Sequence, residues 1–298
     1  MKKLLFSMTA ALIFATVTAQ EDTLSSPWTR KGDIALMFSQ TSFTNWAAGG
    51  ENSITMSGFF NYYAGYEQGK SKWENFIALG YGQTKTGERG FRKSEDKIDI
   101  LSTYGLKAAE KWYYMANLGF KTQFVEGYNY HDDDPAMDKS KISNFMAPGY
   151  LIFGLGIEYN PYEYMSFYLS PVTARWIFVN DQTLADAGSF GVEPGEKVRQ
   201  EFGANFRFLF NKEIIKNVSF STKLELFSNY LEDPQNIDVN WDSMLDMKVN
   251  KWITAKVGVL MIYDDNTPIV INDEGHLGKR TQVKQLIAVG LNYTFGNK

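Results

Sequence analysis

The chain contains no cysteine and only two histidines among its 298 residues. The first absence excludes a disulfide framework, a thiolate metal site, a cysteine nucleophile and a lipidated N-terminal cysteine. His131 and His276 both fall between strand-like segments, and neither belongs to a nucleophile constellation. No G-x-S-x-G elbow is present, and Gly154-Leu155-Gly156 lacks the residues that would extend it into a dinucleotide fingerprint. Lys and Arg number 30 against 34 Asp and Glu, a net charge of -4. With no basic block to meet phosphates, a nucleic-acid partner is not expected. Beyond the N-terminus there is also no apolar run of the roughly 20 residues that a spanning helix needs. What the chain has in quantity is aromatic side chains: 17 Tyr, 22 Phe and 7 Trp, together with 25 Gly.

Lys2 and Lys3 precede an apolar run from Leu4 to Val17, and Val17-Thr18-Ala19 offers small residues before Gln20. This order of charge, short apolar stretch and small residues predicts a secretory signal peptide over residues 1–19. Residues 20–32 then read as a periplasmic N-terminal segment, and 33–298 as one domain.

Along that domain the dominant period is two. Val283, Gln285, Ile287, Val289, Leu291, Tyr293 and Phe295 form one row, opposed by Gln282, Lys284, Leu286, Ala288, Gly290, Asn292 and Thr294. Val198, Gln200, Phe202, Ala204, Phe206, Phe208 and Phe210 form another, opposed by Arg199, Glu201, Gly203, Asn205, Arg207, Leu209 and Asn211. The same alternation predicts strands over 33–43, 52–66, 72–86, 94–109, 112–127, 144–159, 163–178, 197–211, 216–232, 236–249, 252–265 and 281–296. Their connections alternate between short and mostly long, as in outer-membrane barrels, which have short periplasmic turns and longer outer loops. The short ones are Glu67 to Ser71, Glu110-Lys111, Asn160 to Tyr162, Asn211 to Ile215 and Asn250-Lys251; on the outer side only Asp233 to Gln235 is short. A soluble sandwich is the competing architecture, but its strands are commonly about five or six residues. A tilted spanning strand needs about 9 to 11, and must close into a barrel because lipid satisfies no free sheet edge. The expected fold is therefore all-β, a transmembrane antiparallel outer-membrane β-barrel of twelve strands.

Trp73, Trp112 and Trp252 each follow a short turn, where an aromatic girdle would lie. Trp73 and Trp112 share a face with apolar neighbours. Strict alternation puts Trp252 with Thr254 and Lys256 on the inner face, so a bulge or an inward-packed ring is expected there.

The inner face carries charge of both signs. Alternation assigns to it Arg175, Arg199, Glu201, Arg207, Lys223, Glu225 and Lys256 as candidate lumen lining, with Asp99, Lys107, Lys121, Asp242, Asp246, Lys248 and Lys284. In lipid each unpaired Arg or Lys near the midplane would cost about 2–4 kcal/mol, so these groups belong with water or with one another. Asp242 and Asp246 share a face but lie about 13 Å apart along a strand, too far for a direct acid-base dyad. No catalytic site, metal site or cofactor is expected. His131-Asp132-Asp133-Asp134 concentrates oxygen ligands without the spacing of an EF-hand, and reads first as a solvated turn.

The stretch Gln40-Thr41-Ser42-Phe43-Thr44-Asn45-Trp46-Ala47-Ala48-Gly49-Gly50-Glu51-Asn52-Ser53 resembles the opening motif of the Bacteroidetes outer-membrane barrel family called domain of unknown function 3078. The resemblance implies an exported barrel and supplies no substrate or mechanism. Physically, Gly49-Gly50 would make a sharp connection anchored by Asn45, Trp46 and Asn52, either as a hairpin lock or as a docking point. The terminal Tyr293-Thr294-Phe295 looks like a barrel-ending aromatic strand, although Gly296-Asn297-Lys298 follows it.

These readings predict a noncatalytic outer-membrane barrel, with passive passage of small polar solutes as the concrete role. The alternative is a structural, assembly or partner-docking component. Expected partners are outer-membrane lipids, with small polar solutes or envelope proteins, and the expected location is the cell outer membrane.

Overall fold

The computed structural model describes residues 26–42, 51–130, 139–265, 269–270 and 277–297. Residues 1–19, the expected signal peptide, lie outside the described residues.

Twelve antiparallel strands close on themselves in chain order. They are β1 (Trp28–Thr41), β2 (Ser53–Gln68), β3 (Ser71–Thr86), β4 (Arg92–Lys107), β5 (Trp112–Thr122), β6 (Gly149–Tyr162), β7 (Met165–Phe178), β8 (Val198–Ile215), β9 (Val218–Asn229), β10 (Ile237–Lys248), β11 (Ile253–Tyr263) and β12 (Gln282–Asn297). Each expected strand is present. The seam is made by β1 and β12, registered from Arg30↔Asn297 to Phe38↔Val289. Closure leaves no unpaired edge for lipid to meet, the condition that a membrane-spanning sheet must satisfy.

The two faces separate as the period of two requires. On β12, Val283, Ile287, Val289, Leu291 and Tyr293 point outward, Ile287 with 80% of its surface uncovered. Ile34, Leu36 and Phe38 continue that apolar exterior across the seam. On β8 the inward row includes Glu201 at 3% and Arg207 at 4% exposure, whereas Val198 and Phe202 face out. An apolar outside around a polar inside is the arrangement of a transmembrane barrel, the reverse of a soluble one.

Strand ends differ from the expectation where hydrogen bonding and hydrophobic patterning part company. β1 begins at Trp28, ahead of the expected 33. β6 runs to Tyr162 and β8 to Ile215, through stretches expected to be turns, and the turns shift to Glu163-Tyr164 and Lys216-Asn217. Both extensions contain register irregularities, between Tyr159 and Tyr162 and between Glu213 and Ile215. At these ends ladder bonds persist after the apolar alternation has stopped.

β5 instead stops early, at Thr122, because Phe124 and Val125 turn their amides to the Asp96 carboxylate at 2.6 and 3.1 Å. The chain then forms a short hairpin, Gly127–Asn129 against Ser140–Ser143. β6 starts at Gly149 rather than near 144, since Asn144 and Ala147 bond to each other in a turn and Pro148 has no amide to donate to a ladder.

The connection 179–197 contains α1 (Gln182–Asp186), whose amide at Leu184 is capped by Asp181 Oδ1 at 3.3 Å. Leu184 and Ala185 pack with Ala147, Val179 and Val192 into a small buried cluster beside Phe190. Two outer connections thus share a folded cap. Lys141 ties it electrostatically, 2.8 Å from Glu126 and 3.0 Å from Asp181.

Candidate functional site in the barrel lumen

Inward-facing charges pair in tiers from the outer mouth to the opposite rim. In the outer tier Arg175 of β7 lies between Glu201 of β8, its direct partner, and Asp238 of β10, at 2.5 Å. Its guanidinium also sits 4.0 Å from the Phe227 ring centroid. Arg199 reaches Glu201 at 3.1 Å and Glu232 at 2.6 Å, and donates to the Gly191 carbonyl at 2.9 Å. The tier therefore couples the barrel wall to the outer connections.

In the middle tier Lys121 of β5 donates to Glu225 of β9 at 2.7 Å, and Lys223 approaches the other Glu225 oxygen at 3.1 Å. Since β5 and β9 are four strands apart, the wall between them runs roughly 19 Å at the usual strand spacing. Only side chains crossing the interior can join them. Below it, Lys72 of β3 donates to Glu158 of β6 at 2.5 Å and lies 3.5 Å from Glu74. Asn160 adds a hydrogen bond to Glu158 at 3.0 Å, and Arg207 stands 3.8 Å from its second oxygen. The Arg207 guanidinium is also 4.9 Å from the Tyr168 ring centroid. A third crossing pair joins Lys284 of β12 to Glu95 of β4 at 2.7 Å.

The structure thus brings Arg175, Arg199, Glu201, Arg207, Lys223 and Glu225 into these tiers. Lys256 lies apart, paired with Asp246 of the neighbouring strand at 2.9 Å. Lys107 and Lys248 stand exposed at the short-turn rim. Sequence reasoning passed over Lys72, Glu95, Glu158 and Asp238. Glu158 shares the inward parity of Gly154 and Gly156, and Asp238 lies four residues before Asp242 on the same face, so alternation contained the signal for both. It contained none for which charge meets which, because the partners lie on different walls.

Of the two alternatives left open for Trp252, the ring lies outside rather than packed inward. β11 begins at Ile253, so the ring precedes the strand and escapes its alternation. It stacks on outward Tyr293 with centroids 6.2 Å apart. Trp73 and Trp112 also stand exposed on the outside, and Trp28 and Trp73 meet at 5.9 Å. These rings form a girdle at the short-turn end.

Of the hairpin-anchor residues, Asn45, Trp46, Gly49 and Gly50 lie outside the described residues, as do His131-Asp132-Asp133-Asp134 and His276. Asn52 accepts the Gly87 amide at 2.7 Å, joining the first outer connection to the second. Glu51 and Arg89 approach to 3.8 Å beside it.

Two family models match separate parts of this one barrel. Residues 38–128, which include the whole Gln40 to Ser53 stretch and all of β2 to β5, match the family described as protein of unknown function (DUF3078). Residues 151–295 match the one described as protein of unknown function, DUF481. No curated protein matches the chain. Among solved structures, it is similar to the NanC porin at 9% identity, with 88% of this chain and 98% of that chain covered and a TM-score of 0.39. It is similar to an outer membrane channel from Pseudomonas putida F1 at 9% identity, covering 90% and 95%, with a TM-score of 0.39. For the translocator domain of the autotransporter NalP from Neisseria meningitidis the values are 8% identity, 90% and 88% coverage, and a TM-score of 0.35.

Proposed function

We propose that this chain is a noncatalytic outer-membrane barrel that passes small polar solutes by diffusion through a narrow lumen. The observation that supports the reading is the tiered interior, where paired charges of both signs line the inside while the outside is apolar. Such a lining keeps an aqueous path wettable without a strong single-sign field. The crossing pairs Lys121–Glu225 and Lys72–Glu158 reach through its interior. Solutes of small cross-section and little net charge fit that path. Export through the inner membrane and periplasm, directed by residues 1–19, and residence in the outer membrane belong to the same proposal.

Single-channel conductance in planar bilayers tests it. Small, ohmic steps are expected from the native chain, with larger steps once Glu225→Gln releases the middle pair. Correctly folded protein that is silent across a broad voltage range, in native and released forms alike, overturns the pore.

The crossing pairs also favour a second reading, since struts between distant walls stiffen a barrel that serves as a structural or docking component. Crosslinking in intact cells separates the two. Reproducible envelope partners, lost when the outer connections are altered, support the second reading.

A further inference from the structure

The lumen's cations in the tiers are paired, whereas five lysines at the short-turn rim stand apart from any carboxylate among the described residues. Four of the five short turns carry a lysine: Lys70, Lys111, Lys216 and Lys251. The fifth, Glu163-Tyr164, is covered by Lys212 of β8, whose Nζ lies 4.1 Å from the Tyr164 ring centroid. All five lysines are exposed, and among the described residues none pairs with a carboxylate. The five short turns themselves hold four Lys against two Glu, Glu110 and Glu163, whereas the outer connections hold eleven Asp and Glu against six Lys and Arg among the described residues.

Aromatic rings fix the depth of this basic ring. Lys111 lies 5.8 Å from the Tyr162 centroid and Lys251 lies 5.5 Å from that of Trp252, so the ammonium groups ride just beyond the girdle. In a bilayer the girdle sits at the headgroup boundary, which brings the lysines level with phosphates. We infer that the short-turn rim is a binding collar for anionic phospholipid headgroups of the periplasm-facing leaflet. The charges are spread around the whole circumference. One folded acidic protein cannot reach them all at once, whereas an annulus of lipid does so without leaving gaps. The inference requires that the barrel span a membrane but is independent of conduction, so the two fail separately.

The test uses the full chain folded into phosphatidylcholine bilayers containing brominated phosphatidylglycerol or brominated phosphatidylcholine. Quenching of the rim tryptophans reports which lipid is retained. The native chain is expected to favour the anionic lipid about fivefold or more. The combined variant Lys70→Gln, Lys111→Gln, Lys212→Gln, Lys216→Gln and Lys251→Gln should lower that preference towards one, and Lys→Arg at the same positions should retain it. Equal quenching by both lipids with the native chain overturns the inference, as does undiminished preference in the Gln variant. Binding of polyglutamate without lipid preference also overturns it, in favour of an acidic protein partner.

Discussion

Lys121 and Glu225 meet at 2.7 Å although four strand positions separate them around the barrel wall. Glu225 also holds Lys223, so removing its charge releases two cations into the lumen. Glu225→Gln should raise single-channel conductance about twofold and shift selectivity towards anions. The stability loss should be only about 1 kcal/mol, because Lys121 keeps some solvent contact and exposed pairs contribute little. Reversal potentials in a salt gradient give the selectivity; an unchanged reversal potential would sink this prediction.

Glu158 is a sterner case, because it is 4% exposed and is shared by Lys72, Asn160 and Arg207. Glu158→Gln leaves buried Arg207 without its carboxylate and Lys72 with only the longer contact to Glu74, and should destabilise the barrel by about 3 kcal/mol. Denaturant unfolding, followed by the gel shift between folded and unfolded forms, measures it. A loss below about 1 kcal/mol would mean that water already screens the pair.

Gly203 lies where β8 is irregular, between Gly203 and Asn205 in its pairing with β7. A Cβ there would stand 1.9 Å from the Ser228 carbonyl oxygen, a backbone atom of β9 that cannot swing aside. Gly203→Ala should therefore cost about 1–3 kcal/mol. The same unfolding measurement applies, and native-like stability would show that the strands separate easily.

The outer cap should depend on pH at both extremes. Hydrogen bonds from Lys141 and Tyr128 hold the Glu126 carboxyl below its ordinary range, and those from Asn144 and Lys141 do the same for Asp181. Lys141 is held above its ordinary value, first by Glu126 and then by Asp181. Depressed carboxyls stabilise the cap above their unfolded pKa near 4, and that stability goes as pH falls through the lower folded values. The raised lysine stabilises it fully below about 10.4, and its share is lost as pH climbs through the higher folded value. Hydrogen-exchange protection at Leu184 and Ala185, corrected for intrinsic rates, should be flat between those limits and fall outside them. Equal protection at pH 3 and pH 7 would contradict the assignment.

The strand count was legible because a membrane enforces it. Wherever lipid touches the wall, as along Val283 to Tyr293 or Val198 to Phe210, the inward residues apart from Leu286 and Leu209 are polar or small and the outward ones are mostly apolar. At Asn160 and Asn211 the strands leave that constraint but keep their ladder bonds, so their ends could not be read from hydrophobic pattern. Trp252 was ambiguous for a related reason, since strict alternation extends one residue past the strand, which begins at Ile253. Helix α1 has five residues, too few to show a helical period, and its packing depends on Ala147 from another connection. Arg175, Arg199, Glu201, Arg207, Lys223 and Glu225 pair within the tiers while Lys107 and Lys248 stand at the rim, and the pairing of Lys72 with Glu158 depends on curvature that no single strand records.

The β1–β12 seam sets an order of events for assembly. Arg30 finds Asn297 across nearly the whole length of the described chain, so this ladder has the greatest sequence separation in the barrel. Until the last strand is made, β1 presents a row of open amides and carbonyls, an edge that would recruit any other extended chain. Contacts so distant in sequence form slowly because loop closure must be paid before they stabilise anything. A chaperone or insertion machine that shields one edge of β1 through export would therefore act on the strand synthesised first and release it last.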